Sequence, residues 1–239
     1  MSKPQQDEND FLAFFHRYVI PMILVLKKGE ILAPTVITTF VLSVQEKWFL
    51  VTAGHCLKQI DDYKKDGYTI HQCFLMDSMG ADATHFEPII FTFELSKPQY
   101  IFSDTPADKM DYGIIPLSEY YRGLLGANQI CPLSEEVWKF QPEEPELFAL
   151  IGVPGEFVQS DRESVGVVTA LNFIEECDRP EKMPETEMPM FYGKILLHKY
   201  QRTVKGMSVG PIFAFKQING KYRYWLKASQ SRWFEQSEI

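Results

Sequence analysis

The chain has 239 residues, of which 45% are apolar and 23% charged, a balance typical of a globular protein with a sizeable core. Its net charge of −8 argues against nucleic-acid binding, because nucleic-acid-binding proteins usually carry a basic face. The apolar run at 18–26 contains Pro21 and is too short to span a bilayer, and the acidic residues before it are atypical of a secretion signal. We therefore expect a cytoplasmic protein with no membrane or nucleic-acid partner.

The cysteine pattern favours free thiols over a metal centre. No CxxC pair occurs, whereas structural zinc sites usually contain such close pairs, so no metal site is predicted. Free thiols are the default for a chain kept in the cytosol. The cysteines are Cys56, Cys73, Cys131 and Cys177.

The first predicted element is a short helix in residues 8–17, where Phe11, Phe14 and Phe15 recur at helical spacing. Asn9 or Asp10 could cap this helix. The phenylalanine stripe is expected to contact the core, although it could also dock a partner. Alternating and β-branched patterns then predict strands in the segments 18–26, 35–44, 48–54, 86–95 and 111–117.

Residues 118–146 are less regular and rich in Glu and Pro, and we interpret them as the connection between two halves of the chain. The dipeptide Asn219-Gly220 between two apolar runs is a strong hairpin signal. Many short strands at this spacing predict an all-β fold of barrels or sandwiches rather than βαβ units. The predicted strands of the second half are 147–156, 164–173, 191–200, 210–217 and 219–229.

A serine between glycines, in the segment KGMSVGP (205–211), has the backbone setting that a nucleophilic hydroxyl needs. Gly206 permits a tight turn, and the amides of Gly206 and Ser208 could donate to a developing oxyanion. A serine hydroxyl also needs a base, which His55 in VTAGHC could be, and Asp111 at the head of DYGIIPL could orient that base. Taken singly, His55 fits a core histidine and Ser208 an ordinary turn. Their occurrence together, in one of the chain orders that this chemistry uses, favours catalysis.

The segments VTAGHCL, DYGIIPL and GMSVGP resemble the three signatures of the chymotrypsin-like (trypsin-like) serine peptidases. LIGVPGE and SVGVVTAL are similar to the opening strands of the second barrel in compact, disulfide-free bacterial members. The resemblance covers residues 18–234 and implies two antiparallel six-stranded β-barrels, residues 18–125 and 126–239, after an N-terminal helical extension of residues 1–17. It also implies a serine endopeptidase that forms an acyl-enzyme intermediate and needs no metal or organic cofactor.

The resemblance assigns roles to individual residues. By motif, His55 is the general base, Asp111 its orienting carboxylate and Ser208 the nucleophile. Gly206 and Ser208 are the oxyanion-hole donors. The implied partner is a protein or peptide substrate, and a regulatory or effector protein is left open.

Weaker matches concern specificity. Arg202 resembles the residue at the base of the primary specificity pocket, and Thr203 lies next to it. Arg202 could pair with an acidic substrate side chain, fill the pocket so that only small residues fit, or be a solvated surface charge. Ser229, in ASQS (228–231), resembles a serine of the strand that pairs with the substrate backbone.

The chain departs from the family pattern next to the nucleophile. The family usually has glycine directly after the serine, and this chain has Val209, which would be strained if the position needs a positive φ. Met207 replaces the aspartate that pairs with a new N-terminus in secreted relatives, so no activation by that cleavage is predicted. Cys56 resembles a disulfide cysteine of secreted relatives, but Phe40 and its neighbours offer no partner cysteine, which favours a reducing compartment.

Two other functions fit the same motifs. A catalytically impaired pseudo-peptidase could use the fold as a binding or scaffold module, and Val209 is the residue that favours this alternative. An esterase could use the same three residues.

Overall fold

The computed structural model describes residues 11–79, 83–103, 110–139, 144–160, 165–181, 183, 185–197 and 200–231. Within these ranges the chain is mostly β-sheet with few helices, which confirms the β-rich character that the strand patterns predict. No helix in the described part of the chain combines the length and the apolar character needed to cross a membrane.

The elements of the first half follow a helical segment at residues 11–15, called α1. The strands are β1 (Met22–Lys28), β2 (Ile31–Ile37), β3 (Phe40–Val44), β4 (Lys47–Thr52), β5 (Thr69–Leu75), β6 (Ile89–Ile90), β7 (Gln99–Phe102) and β8 (Asp111–Leu117). The helices are α2 (Gly54–Lys65), a 3-10 helix (Phe93–Ser96), α3 (Glu119–Ala127) and α4 (Glu135–Lys139).

The described part of the second half contains strands and one short 3-10 helix. They are β9 (Leu147–Gly152), the 3-10 helix (Gly155–Phe157), β10 (Gln159–Ser160), β11 (Val165–Gly166), β12 (Ala170–Glu176), β13 (Gly193–Leu196), β14 (Pro211–Ile218) and β15 (Lys221–Ser229). The Asn219-Gly220 hairpin is confirmed, because β14 and β15 pair antiparallel on either side of it.

The strands pair antiparallel in sheets of order β2-β1-β5-β6, β3-β4-β8-β7 and β13-β12-β9-β14-β15, with a separate β10-β11 pair. Over the described residues these sheets are open rather than closed, so the predicted pair of six-stranded barrels is not confirmed. The chain passes between the two four-stranded sheets at Thr38 and Thr39, which separate β2 from β3. Both threonines are buried, and the backbone N–H of Ile20 donates to the carbonyl of Thr39 at 2.8 Å.

Buried side chains within the described ranges form three hydrophobic clusters. One draws its buried members from residues 20–130, and another draws them from residues 148–225. The third combines residues of both halves, including Phe15 of α1, Val51 of β4 and Phe213 of β14. This third cluster therefore joins the two halves. It also confirms that part of the phenylalanine stripe contacts the core, whereas the predicted cap at Asn9 or Asp10 lies outside the described residues.

The predictions for individual segments beyond the N-terminal helix were wrong in several places. The predicted strand 86–95 contains only the two residues of β6 and then enters the 3-10 helix at Phe93–Ser96. Residues 54–65 form α2, which buries Leu57 and Ile60 on one face. The apolar run of β4 leads directly into this helix, so the end of the strand concealed its start. The region 118–146, predicted to be an irregular connection, contains α3 and α4.

Candidate active site

His55 lies in the first turn of α2, just after the chain leaves β4. Gly54 permits this placement, because an added Cβ would lie 2.3 Å from the carbonyl oxygen of Ile101 on β7. A larger residue would push the start of α2 away from that strand. The glycine before the histidine therefore allows the close approach that positions the imidazole.

Asp111, the first residue of β8, binds His55 through both carboxylate oxygens. Its Oδ1 accepts a hydrogen bond from the backbone N–H of His55 at 2.9 Å, and its Oδ2 accepts one from Nδ1 at 2.7 Å. The backbone amide is one of the first-turn donors that a helix leaves unpaired. One carboxylate therefore caps α2 and orients the imidazole, and its charge lies at the favourable end of the helix dipole.

The two side chains differ in exposure, which is 3% for Asp111 and 36% for His55. The carboxylate is thus withdrawn from water while the imidazole stays accessible. The hydrogen bond with Asp111 is the main cause that raises the pKa of His55 above its ordinary 6.5, a hydrogen bond with the Cys56 thiol adds to it, and burial opposes both. The arrangement stabilises an imidazolium, which is the species that a histidine base forms when it accepts a proton.

Ser208 is half-buried in the turn of residues 205–210, called the serine turn. Gly206 has a φ of +92° and Val209 a φ of +60°. The position after the serine therefore does adopt a positive φ, and the strain foreseen for a valine there is present. The left-handed conformation costs a non-glycine residue roughly 1–2 kcal/mol. The side chain of Val209 is nevertheless fully buried in the cluster that joins the two halves.

The peptide group between Lys205 and Gly206 is hydrogen-bonded through its carbonyl oxygen. The backbone N–H of Gly155 donates to the carbonyl oxygen of Lys205 at 2.6 Å. In a trans peptide the N–H points away from the C=O, so the amide of Gly206 points away from Gly155. This amide has no hydrogen-bond acceptor among the described residues.

The peptide between Met207 and Ser208 is held in the same way. The N–H of Gly210 donates to the carbonyl oxygen of Met207 at 2.7 Å, which turns the amide of Ser208 in the opposite direction. The described part of the chain offers that amide no acceptor either. The serine turn therefore carries two unpaired donors, and they belong to the two residues that the sequence singled out as oxyanion-hole donors.

A chain of buried and partly buried hydrogen bonds joins the serine turn to the segment that leads to His55. Thr38 Oγ1 donates to the carbonyl of Gly206 at 3.0 Å and accepts from the N–H of Val153 at 3.0 Å. The carbonyl of Thr38 accepts from Thr52 Oγ1 at 3.0 Å, and Thr52 ends β4 shortly before His55. Sequence reasoning missed Thr38, because a threonine between two strands carries no distinguishing local pattern.

Ser208 and His55 also flank one hydrophobic cluster. Val209, which follows the serine, belongs to the same cluster as Val51 and Ala53, which precede the histidine. No hydrogen bond between Ser208 and His55 themselves is present among the described residues. The structure thus brings His55 and Asp111 into direct contact. Ser208 is connected to them indirectly, through the hydrogen bonds of Thr38 and the shared hydrophobic cluster.

Met207 belongs to the serine turn, and its side chain is fully buried. Its thioether sulfur accepts hydrogen bonds from Gln201 Nε2 at 3.2 Å and from Asn172 Nδ2 at 3.5 Å. Gln201 Oε1 in turn accepts a hydrogen bond from Asn172 Nδ2 at 2.9 Å. The Met207 thioether is therefore surrounded by neutral amides, and sequence reasoning did not identify Asn172 or Gln201.

Of the predicted specificity residues, Arg202 and Thr203 precede the serine turn in the sequence and Ser229 follows it. Arg202 is exposed and Thr203 is half-buried, and the backbone N–H groups of both donate to Glu156 Oε1, at 2.7 Å and 3.0 Å. Ser229 ends β15, where it pairs with Pro211, and is half-buried. The specificity roles of these three residues stay predictions.

Comparison with known proteins finds a structural similarity but no sequence match. No family model matches the sequence, and no curated protein matches it. Among solved structures, the chain is similar to a thermostable serine protease from an extremophilic microorganism, with 11% identity, a TM-score of 0.46, and coverage of 92% of this chain and 87% of that one. At this identity and TM-score the likeness carries no conclusion about activity.

Proposed function

We propose that this chain is a serine endopeptidase of the chymotrypsin-like class, with Ser208, His55 and Asp111 as its catalytic residues. The observation that carries the proposal is the double hydrogen bond from His55 to the Asp111 carboxylate, at 2.9 Å and 2.7 Å. A buried carboxylate that fixes both the backbone and the ring of one accessible histidine is the arrangement that a general base requires.

In the proposed reaction, Ser208 Oγ attacks the carbonyl carbon of a peptide bond while His55 Nε2 takes the hydroxyl proton. The carbonyl oxygen gains negative charge and is stabilised by the amides of Gly206 and Ser208. His55 then gives the proton to the leaving amine, and the acyl group stays on Ser208 as an ester. Water attacks that ester by the same route, returning the proton to Ser208 and releasing the acid. Asp111 stabilises the imidazolium in both steps.

The finer features of the sequence interpretation belong to this proposal. They are a two-barrel arrangement with boundaries near residues 125 and 126, a cytoplasmic location, a protein or peptide substrate, and chemistry without a metal or organic cofactor. Arg202, Thr203 and Ser229 are proposed to contact the substrate.

A fluorophosphonate probe tests the proposal, because it forms a covalent adduct with an activated serine. The wild-type protein should be labelled, and the Ser208→Ala and His55→Ala variants should not. Ser96→Ala, in the 3-10 helix at Phe93–Ser96, is a matched control that should label like wild type. Labelling of Ser208→Ala would overturn the assignment of the nucleophile.

A second candidate is the pseudo-peptidase, which acts as a binding or scaffold module. It is favoured by the positive φ of Val209, which forces a β-branched residue into a strained conformation beside the serine. A folded wild-type protein that does not react with the probe would support this alternative.

A further inference from the structure

The loop of residues 153–156 follows β9 and includes the first two residues of the 3-10 helix at Gly155–Phe157, and it contacts the serine turn closely. If Gly206 carried a Cβ, that atom would lie 2.6 Å from the nitrogen of Gly155 and 2.8 Å from the carbonyl oxygen of Val153. The backbones of the two segments therefore approach to a distance that excludes a side chain at Gly206. As a result, the position of residues 153–156 determines the position of the Gly206 peptide.

Two hydrogen-bonded contacts connect this loop to the chain before Ser208. In the first, the N–H of Gly155 holds the carbonyl of Lys205 at 2.6 Å. In the second, Glu156 Oε1 accepts from the backbone N–H groups of Arg202 at 2.7 Å and Thr203 at 3.0 Å. A carboxylate oxygen that accepts two N–H groups makes shorter and stronger bonds than a neutral acceptor does.

The residues held by Glu156 lead directly into the serine turn. The N–H of Lys205 donates to Thr203 Oγ1 at 3.1 Å, and this hydrogen bond restrains the backbone between Thr203 and Lys205. Movement of Arg202 and Thr203 would consequently pass to the Lys205–Gly206 peptide. That peptide carries one of the two amides that the proposed function uses as oxyanion donors.

We propose that Glu156 is a positioning residue for this oxyanion donor. Its carboxylate fixes the backbone at Arg202 and Thr203, so that the Gly155 contact keeps the amide of Gly206 pointed at the reacting carbonyl. This inference rests on the proposed function and deepens it. Because the donor interacts with a charge that exists only in the transition state, loss of positioning should lower the rate of the chemical step more than it weakens binding.

The experiment compares Glu156→Ala with Glu156→Gln by the kinetics of fluorophosphonate labelling. Removing an oxyanion donor outright lowers the rate on the order of 10²- to 10³-fold, so displacing one should cost roughly 10-fold or more in the maximal labelling rate. The half-saturating probe concentration should change by less than about twofold, since ground-state binding does not use this amide. Glu156→Gln keeps an oxygen acceptor at the same place and should retain most of the wild-type rate.

A matched control is Glu175→Ala, which removes another exposed glutamate, on β12, and should label like wild type. Amide hydrogen exchange supplies a readout that needs no reaction. The amides of Arg202 and Thr203 should exchange faster in Glu156→Ala, while thermal denaturation shows that the variant remains folded.

The outcomes separate the two proposals. If wild type reacts and Glu156→Ala reacts at the wild-type maximal rate, the positioning role is overturned and the proposed function stands. If Glu156→Ala loses affinity for the probe with an unchanged maximal rate, the positioning role is likewise overturned. If folded wild type does not react at all, the proposed function and the positioning role both fall.

Discussion

At the scale of single residues, the contact with Asp111 raises the proton affinity of the His55 imidazole, which can be measured as its pKa. Both carboxylate oxygens bind the histidine, and the ring hydrogen bond raises the pKa of His55 above 6.5. Only the neutral imidazole can accept a proton from Ser208. The rate of serine labelling should therefore rise with pH, and the midpoint of that rise should lie above pH 6.5.

An NMR titration of the His55 imidazole checks this prediction without reference to activity. The Asp111→Asn variant keeps an oxygen acceptor but loses the charge, so its His55 pKa should fall relative to wild type. Labelling of this variant should slow on the order of 10⁴-fold, the effect of replacing such a carboxylate in related chemistry. A wild-type His55 that titrates at or below 6.5 would contradict the prediction.

Val209 has two opposing effects on stability. Replacing it with glycine removes about 1–2 kcal/mol of backbone strain, but it also removes about 1.5–3 kcal/mol of apolar burial. Val204 is buried to a similar extent and is not among the residues with positive φ. Val204→Gly should therefore lose more stability than Val209→Gly, by about 1–2 kcal/mol in urea unfolding. Equal losses in the two variants would show that Val209 is not strained.

At the scale of elements, Gly54 controls how closely α2 approaches β7. In Gly54→Ala, the new methyl group would lie 2.3 Å from the carbonyl oxygen of Ile101, so the helix must shift. Overpacking of this kind costs roughly 1–3 kcal/mol, and the shift should also slow labelling because His55 follows directly. The measurements are thermal denaturation and the labelling rate.

Gly123 provides the matched control for that substitution. It lies inside α3, and an added Cβ would have no heavy atom within 4 Å. Gly123→Ala should therefore leave labelling unchanged and stabilise the protein by about 0.5–1 kcal/mol through helix propensity. The prediction for Gly54 fails if both variants melt at the same temperature.

At the scale of the whole molecule, Phe15 connects the N-terminal helix to β14 and β15 of the second half, and it belongs to the cluster that also contains Val51 of the first half. Its ring lies 4.6 Å from that of Phe213 and 5.0 Å from that of Tyr224, measured between centroids. Phe15→Ala should destabilise the protein by roughly 3–5 kcal/mol, and wild type should unfold in one transition because the shared cluster couples the halves. Phe86→Ala, which removes a 77% exposed ring, should change stability by less than about 0.5 kcal/mol. Two separate transitions in urea would contradict the coupling.

The sequence predicted most of the strands but not the helices between them. The apolar run of β4 and the turn at Asn219-Gly220 are local patterns, and they were assigned correctly. The predicted single strand 35–44 was wrong, because the chain leaves one sheet at Thr38 and Thr39 and residues 35–37 belong to β2 rather than β3. In α2, Leu57 and Ile60 mark only one short apolar stripe among charged residues, which is a weak signal beside the strand that precedes it. Strands that pair far along the chain also leave no local trace of whether their sheets close.

The sequence by itself determined which residue types stand in order, namely a histidine after a buried strand, an aspartate that opens another, and a serine between glycines. These are properties of short segments. Only the tertiary structure decided that Asp111 caps α2 and orients the His55 imidazole. It also decided that hydrogen bonds from Gly155 and Gly210 to two carbonyls of the serine turn leave the amides of Gly206 and Ser208 unpaired, and that Glu156 binds the backbone just before that turn. The physical reason is that a hydrogen bond has a direction and a short reach, and both are set by where distant segments meet.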